Sequence, residues 1–222
     1  MIIWSFSTIA PEDAFWYNYD TLIPTLAMSS RTKIIIVFVV VLIVGSGAVA
    51  LWQGQNQIPQ SFTDARLKGA AIAENIVNMS SSSTAELAQV NTLDAKGNYT
   101  DALTMTTDLV TQSQALRDQA VQLSNQIGAM TQALSLVNSL DARQAALEGI
   151  ADQLALINQL INYSGDLDKL LLTLQNHFTN KAWQPNDVVS EINAINADVT
   201  AINNFNSQAT QAMQKFDTIA NK

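Results

Sequence analysis

The hydrophobic positions in the second half of the chain recur in alternating steps of four and three residues. One such run begins at Leu109 and ends at Val137, and another begins at Val188 and ends at Ala220. This alternation is the heptad pattern of helices that pack along one side, and we call each apolar run of this kind a seam. The pattern therefore predicts two long helices in these regions.

A further seam lies between these two runs. It contains Arg143, Leu147, Ile150, Leu154, Ile157 and Ile161. Beyond Gly165 the apolar stripe continues from Leu167 to Phe178, and Leu172 adds a second apolar face. We expect the seam residues to be buried against neighbouring helices. The stripe from Leu167 to Phe178 is where we expect an apolar strip to be exposed.

Two shorter helices are predicted before the first seam. One spans roughly residues 64–79 and is expected to end at the four serines from Ser80 to Ser83. The next begins at Thr84 as an N-cap and ends near Gly97. Short connections make neighbouring helices antiparallel. We therefore predict an all-α fold in which residues 64–222 form an elongated, coiled-coil-like antiparallel bundle of three long helices plus two short ones.

A membrane-spanning segment is predicted ahead of the bundle. Residues 34–52 contain no charge, and a helix of that length extends about 29 Å, close to the roughly 30 Å hydrocarbon core of a bilayer. Arg31 and Lys33 lie directly before it, so the positive-inside rule places residues 1–33 in the cytoplasm as a short tail. Residues 53–63 form a polar linker. This predicts a single-pass plasma-membrane protein whose C-terminal bundle is extracytoplasmic.

Two features of the N-terminal region leave alternatives open. Small residues at Ala48 and Ala50 fit a signal-peptidase site, so cleavage near Ala50 would release a secreted bundle. The apolar run continues to Trp52, which suits an interfacial anchor and favours a signal-anchor helix. Met28 opens a short basic lead into the apolar run, so residues 1–27 are either a cytoplasmic tail or an untranslated upstream stretch.

The amino-acid composition of the chain disfavours or excludes several classes of function. Charged residues make up only 14% of the chain, whereas 19 Asn and 19 Gln supply polarity without charge. After residue 52 there are 9 basic and 16 acidic residues, a net charge of −7, which disfavours binding to nucleic acid. The chain has no cysteine, which excludes a disulfide scaffold and a thiol nucleophile.

No pattern of catalytic or ligand-binding residues stands out, so we predict no enzyme activity, no cofactor, and no catalytic, cofactor-binding or metal-ligating residues. The single histidine, His177, follows Asp166 and Asp168 at spacings that do not form a metal-ligand motif, and we interpret it as a surface residue. Glu148 and Asp152 form an i, i+4 carboxylate pair, which is typical of a solvated helix face.

The function predicted from these observations is structural. Residues 34–52 are expected to bind the lipid bilayer, and the seams to bind a protein partner or a second copy, in a scaffolding or protein-binding role in the cell envelope. The alternative is an extracytoplasmic ligand-sensing four-helix-type bundle. Polar groups that converge near Tyr163, His177 and Trp183 would favour ligand sensing. An exposed apolar strip would favour a scaffold or an oligomer.

Overall fold

The computed structural model describes residues 58–221, and this part of the chain is all-helical. It contains four long helices, each extending on the order of 50 Å. Their bounds are α1, Gln60–Ala95; α2, Tyr99–Ala133; α3, Leu140–Phe178; and α4, Pro185–Ala220. A short 3₁₀ turn, Leu134–Leu136, follows α2. The predicted helical bundle is confirmed at this level.

The prediction of two short helices at the start of the bundle is wrong, because α1 continues through the serine run as one helix of 36 residues. Ser80 and Ser83 are buried, and the Ser83 hydroxyl donates to Oε1 of Gln112 in α2 at 3.0 Å. Thr84 donates back to the Ser80 carbonyl at 2.9 Å. Serine favours a helix end only when its hydroxyl has no better partner, and here partners within the bundle compensate.

The connection between α1 and α2 lies where the sequence predicts a turn. Gly97 has φ of +71°, a left-handed conformation that glycine adopts without steric cost. Helices commonly end at a glycine in this conformation, and α1 ends here. Asn98 precedes the first residue of α2, and its side-chain amide donates to Asp101 at 2.6 Å.

Side-chain contacts show that α2 and α3 run antiparallel, because the ring of Tyr99 at the start of α2 stacks on the ring of Phe178 at the end of α3, with centroids 5.9 Å apart. Ser113 in α2 meets Ser164 in α3, with their hydroxyl oxygens 3.0 Å apart. At the end where the described chain begins, the Phe62 and Phe216 rings lie 4.9 Å apart. The start of α1 therefore meets the end of α4. Arg66 extends this contact with a two-pronged ion pair to the carboxylate of Asp217, at 2.6 and 2.9 Å.

The seams predicted for α2 and α4 form the centre of the core. From Leu109 to Val137 all nine seam residues are buried, including Ser113 and the two that follow the end of α2. In α4 the buried face includes Val188, Ile195, Val199, Ile202, Ala209, Met213, Phe216 and Ala220. Branched and aromatic side chains at heptad spacing thus identify the inward faces of these two helices.

The face of α3 that the sequence predicts to be buried is not the face that packs against the other helices. Ile150 and Ile157 are buried, but Leu147, Leu154 and Ile161 are exposed. The helix instead buries a row of small residues, Ala142, Ala145, Ala146 and Gly149. A Cβ atom on Gly149 would lie 3.1 Å from Cγ of Met213. Close approach of α3 to α4 therefore requires small side chains, whose weak hydrophobicity hides the face in the sequence.

No helix within residues 58–221 is long and apolar enough to cross a membrane. The predicted span at 34–52, the tail at 1–33 and residues 53–57 of the linker lie outside the described residues, so those predictions stay predictions. The last four residues of the predicted linker, 60–63, are the start of α1.

Candidate functional site

A cluster of aromatic side chains surrounds His177 at the end of the bundle where α1 joins α2 and α3 joins α4. The His177 ring lies 4.2 Å from the Trp183 ring and 5.5 Å from the Tyr99 ring, measured between centroids. Nε2 of His177 lies 2.9 Å from Oδ1 of Asp94. His177 is therefore a partly buried, paired residue rather than the surface histidine predicted. Because the rings pack against one another, this cluster joins the two connections.

Tyr163 is not part of that cluster. It lies 14 residues before His177 on α3, which separates the two by about 21 Å along the helix. The Tyr163 ring is buried, its hydroxyl hydrogen-bonds with Ser80, and burial raises the pKa of that hydroxyl. The three residues that would mark a sensing pocket thus occupy two separate places.

A buried layer of hydroxyl groups crosses the middle of the bundle. The Ser113 hydroxyl lies 3.1 Å from the Ser164 backbone carbonyl, and the Ser164 hydroxyl lies 3.0 Å from the Ser113 carbonyl. Nearby, the side-chain amide of Gln112 donates to both oxygens of Glu86 at 2.8 Å. These contacts satisfy polar groups inside the bundle, so the layer holds helices together and presents no chemistry to a ligand.

A carboxyl pair lies between α3 and α4. Asp198 in α4 is only 9% exposed, hydrogen-bonds with Asp166 in α3, and its Oδ2 has no hydrogen-bond partner among residues 58–221. Burial first, and then the Asp166 charge, raise the pKa of Asp198 to about 6. Lys169 neutralises part of this charge through an ion pair with Asp166 at 2.6 Å. Burial and repulsion of the Asp198 carboxylate therefore lower the stability of the folded protein when this group is ionised.

The groove between α3 and α4 near the other end is open and shallow, with a volume of about 660 Å³. It is lined by Glu148, Ala151, Asp152, Gln208, Gln211, Ala212 and Lys215. Lys215 contacts Glu148 at 3.4 Å across it, and both side chains are about half exposed. The Glu148/Asp152 pair therefore lies on a solvated surface, and repulsion from Glu148, second to burial, raises the Asp152 pKa.

The most unusual surface of the described chain is a row of exposed apolar side chains on α3, which we call the outer row. It consists of Leu140, Leu147, Leu154 and Ile161, spaced by seven residues and between 37% and 70% exposed. Gly149 and Tyr163, two positions after Leu147 and Ile161, are buried and lie about 200° round the helix. The outer row therefore faces directly away from the bundle core.

A second set of positions completes the outer row into a regular heptad pattern. Gln144, Ala151 and Asn158 are exposed and Gly165 is half-buried, and they alternate with the outer row in steps of four and three. We call these eight residues together the outer seam. None of the eight is charged, although four charged residues lie between Leu140 and Gly165. Apart from the adjoining residues and backbone of α3 itself, no atom in the described chain lies within 4 Å of where a Cβ on Gly165 would be.

The other helices carry no comparable row within residues 58–221. Their exposed large apolar side chains stand far apart: Leu67 on α1, Tyr99 and Val121 on α2, and Val189 on α4. The predicted strip from Leu167 to Phe178 is also different, because five of its apolar residues are buried and, of the large apolar residues in it, only Leu172 is strongly exposed. An exposed apolar strip exists, but it lies earlier on α3 than the sequence predicts.

Residues 58–221 contain no group of three or more acidic or histidine side chains placed to hold a metal ion. Comparisons of the chain with protein-family models, curated proteins and solved structures found no match. The class of protein is therefore defined by the described fold and surface alone: an all-helical bundle with one apolar face turned to solvent.

Proposed function

We propose that the chain is a single-pass membrane protein whose helical bundle acts outside the cytoplasm as a scaffold or protein-binding module of the cell envelope. The observation that carries the binding role is the outer row. Burial of a large aliphatic side chain is worth about 1.5–3 kcal/mol, so four of them on one solvent-facing stripe favour a partner surface. The anchor at residues 34–52 is supported by its length and its basic N-terminal flank.

The arrangement of polar groups favours this role over ligand sensing. Small-molecule sites are mostly enclosed clefts with a few convergent polar groups. Here Tyr163 and His177 are each paired inside the bundle, with Ser80 and Asp94 respectively. The groove of about 660 Å³ between α3 and α4 is open, and its charges face solvent.

The anchor predicts how the full-length protein fractionates. We expect it to remain in the membrane pellet after alkaline extraction, because the apolar segment spans the bilayer core. Mass spectrometry of the extracted protein should find the segment intact. A protein that begins after Ala50 and appears in the soluble fraction would contradict the anchor and support the secreted form.

The outer row predicts where partner proteins are captured. With a photoreactive side chain placed at Leu147, irradiation of native membranes should give protein adducts several-fold above background. The matched control is the same side chain at Val121 on α2, because the two residues are 51% and 50% exposed. Equal yields from the two positions would contradict a binding role for the outer row, whatever the fate of the anchor.

A further inference from the structure

We infer that the outer seam of α3 pairs with the outer seam of a second copy of this chain, with the two α3 helices running parallel. This inference names the partner of the proposed binding surface and rests on that proposal. It is supported by the heptad positions of the seam, by the charges beside it and by the direction that a common membrane imposes.

The residues of the outer seam alternate between the d and a positions of a heptad. Because steps of four follow the outer row and steps of three precede it, Leu140, Leu147, Leu154 and Ile161 occupy d positions. The a positions hold Gln144, Ala151, Asn158 and Gly165. Two features of parallel two-stranded coils are present, leucine at d and an asparagine at one a position, whose paired amides fix the register. The other a positions hold small or polar residues, which makes the contact weaker than one with Ile or Val there. In such a pair Asn158 would face its own copy, and an amide both donates and accepts.

The flanking charges agree with the same direction. In a parallel pair, a residue at g lies beside the e residue five positions later on the other chain. Arg143 is at g, and Glu148, five positions later, is at e. By symmetry the two copies would form this ion pair twice. In an antiparallel pair, e faces e and g faces g, and Arg143 would not meet Glu148.

In a single copy neither Arg143 nor Glu148 has a close ion-pair partner within residues 58–221. Nε of Arg143 is buried without a hydrogen-bond partner among residues 58–221. Glu148 is about half exposed, and its contact with Lys215 is long, at 3.4 Å. The uncharged seam also avoids opposing like charges at the contact itself, which matters because the extracytoplasmic part carries a net charge of −7.

The size of the surface indicates where pairing takes place. Stable interfaces involve about 20–30 residues a side, whereas the outer seam supplies eight and its immediate flanks. Such a contact is weak between freely diffusing molecules. A shared membrane raises the effective concentration and orients every copy in the same direction. A parallel pair within one membrane follows from the anchor, whereas an antiparallel pair would need two membranes.

The absence of native cysteine permits a direct test on the full-length protein in membranes. We compare Gly165→Cys on the outer seam with Gly128→Cys on α2, because both helical glycines have open space where a Cβ would lie. Under mild oxidation, Gly165→Cys should give a disulfide-linked product of twice the 24.1 kDa chain mass, at several-fold higher yield. An antiparallel pair would place the two Gly165 positions about 37 Å apart and give none.

Second substitutions in the Gly165→Cys protein test the contact itself. Leu154→Gln should lower the yield roughly fivefold, whereas Val121→Gln should not. Arg143→Glu should lower it roughly threefold, and adding Glu148→Arg should restore it. Unchanged helicity by circular dichroism checks the folding of each variant.

The possible results separate this inference from the proposed function. Equal yields from Gly165→Cys and Gly128→Cys, or no rescue by Glu148→Arg, would overturn parallel self-pairing. If a photoreactive Leu147 instead links to a different protein, the binding role stands and the second copy is excluded as its partner.

Discussion

Ile195→Asp unfolds the bundle. Ile195 lies one heptad after the start of the α4 seam and is fully buried. The substitution removes an aliphatic side chain, at a cost of about 2–5 kcal/mol, and places an unpaired carboxylate in the core. The two costs together approach the roughly 5–15 kcal/mol that holds a typical domain folded. Thermal melting of the full-length protein followed by circular dichroism should show loss of the cooperative transition.

The matched control for this variant is Asn196→Asp, one residue further along α4 and exposed. It introduces the same carboxylate into the same turn of the helix, outside the core. We expect it to change the melting temperature little, because surface substitutions usually change stability by about 0.5 kcal/mol or less. Equal melting of the two variants and the unmodified protein would show that the α4 seam is not the core.

Asp198→Asn stabilises the protein above pH 6. Because the pKa of Asp198 is raised to about 6 from its ordinary value near 3.8, the fold favours the protonated form. The contribution of Asp198 to stability is therefore greatest below about pH 4 and is lost as pH rises through about 6. A shift of this size corresponds to a penalty on the order of 2–3 kcal/mol at neutral pH. The asparagine carries no charge and still offers a donor to Asp166.

The measurement is the free energy of unfolding by denaturant at pH 4.5 and pH 7.5. The difference between Asp198→Asn and the unmodified protein should grow with pH, whereas Asp108→Asn, on the exposed side of α2, should show no such growth. Lys169 offsets part of the repulsion, and burial raises the pKa of the neighbouring Glu191 as well. A destabilised Asp198→Asn protein at pH 7.5 would show that the carboxylate has a compensating role.

The sequence predicts α2 and α4 well because large apolar residues define a single face on each. It does not predict continuity through Ser80 to Ser83, since the hydroxyl partners that keep α1 helical come from a distant part of the chain. Helix propensity reflects only the local competition, in which the serine hydroxyl and the helix backbone hydrogen-bond with the same neighbouring groups. The continuation of α3 through Gly165, by contrast, agrees with the prediction of one long helix there.

The candidate site was hidden by the same kind of ambiguity. On α3 the large residues at Leu147 and Leu154 fit a heptad seam as well as a core face, and hydrophobicity alone does not say which partner covers them. The discriminating signal is the row of small residues from Ala142 to Gly149, which marks close packing between helices. Alternating alanine and leucine faces on one helix would have indicated two contacts, one internal and one external.

The interlocked serines at mid-bundle bear on how the protein responds to force or to a bound partner. One way in which proteins switch is a shift of one helix along its neighbour, in steps as large as one turn. Here sliding of α2 past α3 would break the reciprocal Ser113–Ser164 contacts and leave two hydroxyl groups stranded in an apolar interior. The Ser113–Ser164 pair therefore opposes movement of α2 along α3, and we expect the bundle to keep its length when a partner binds or a force is applied.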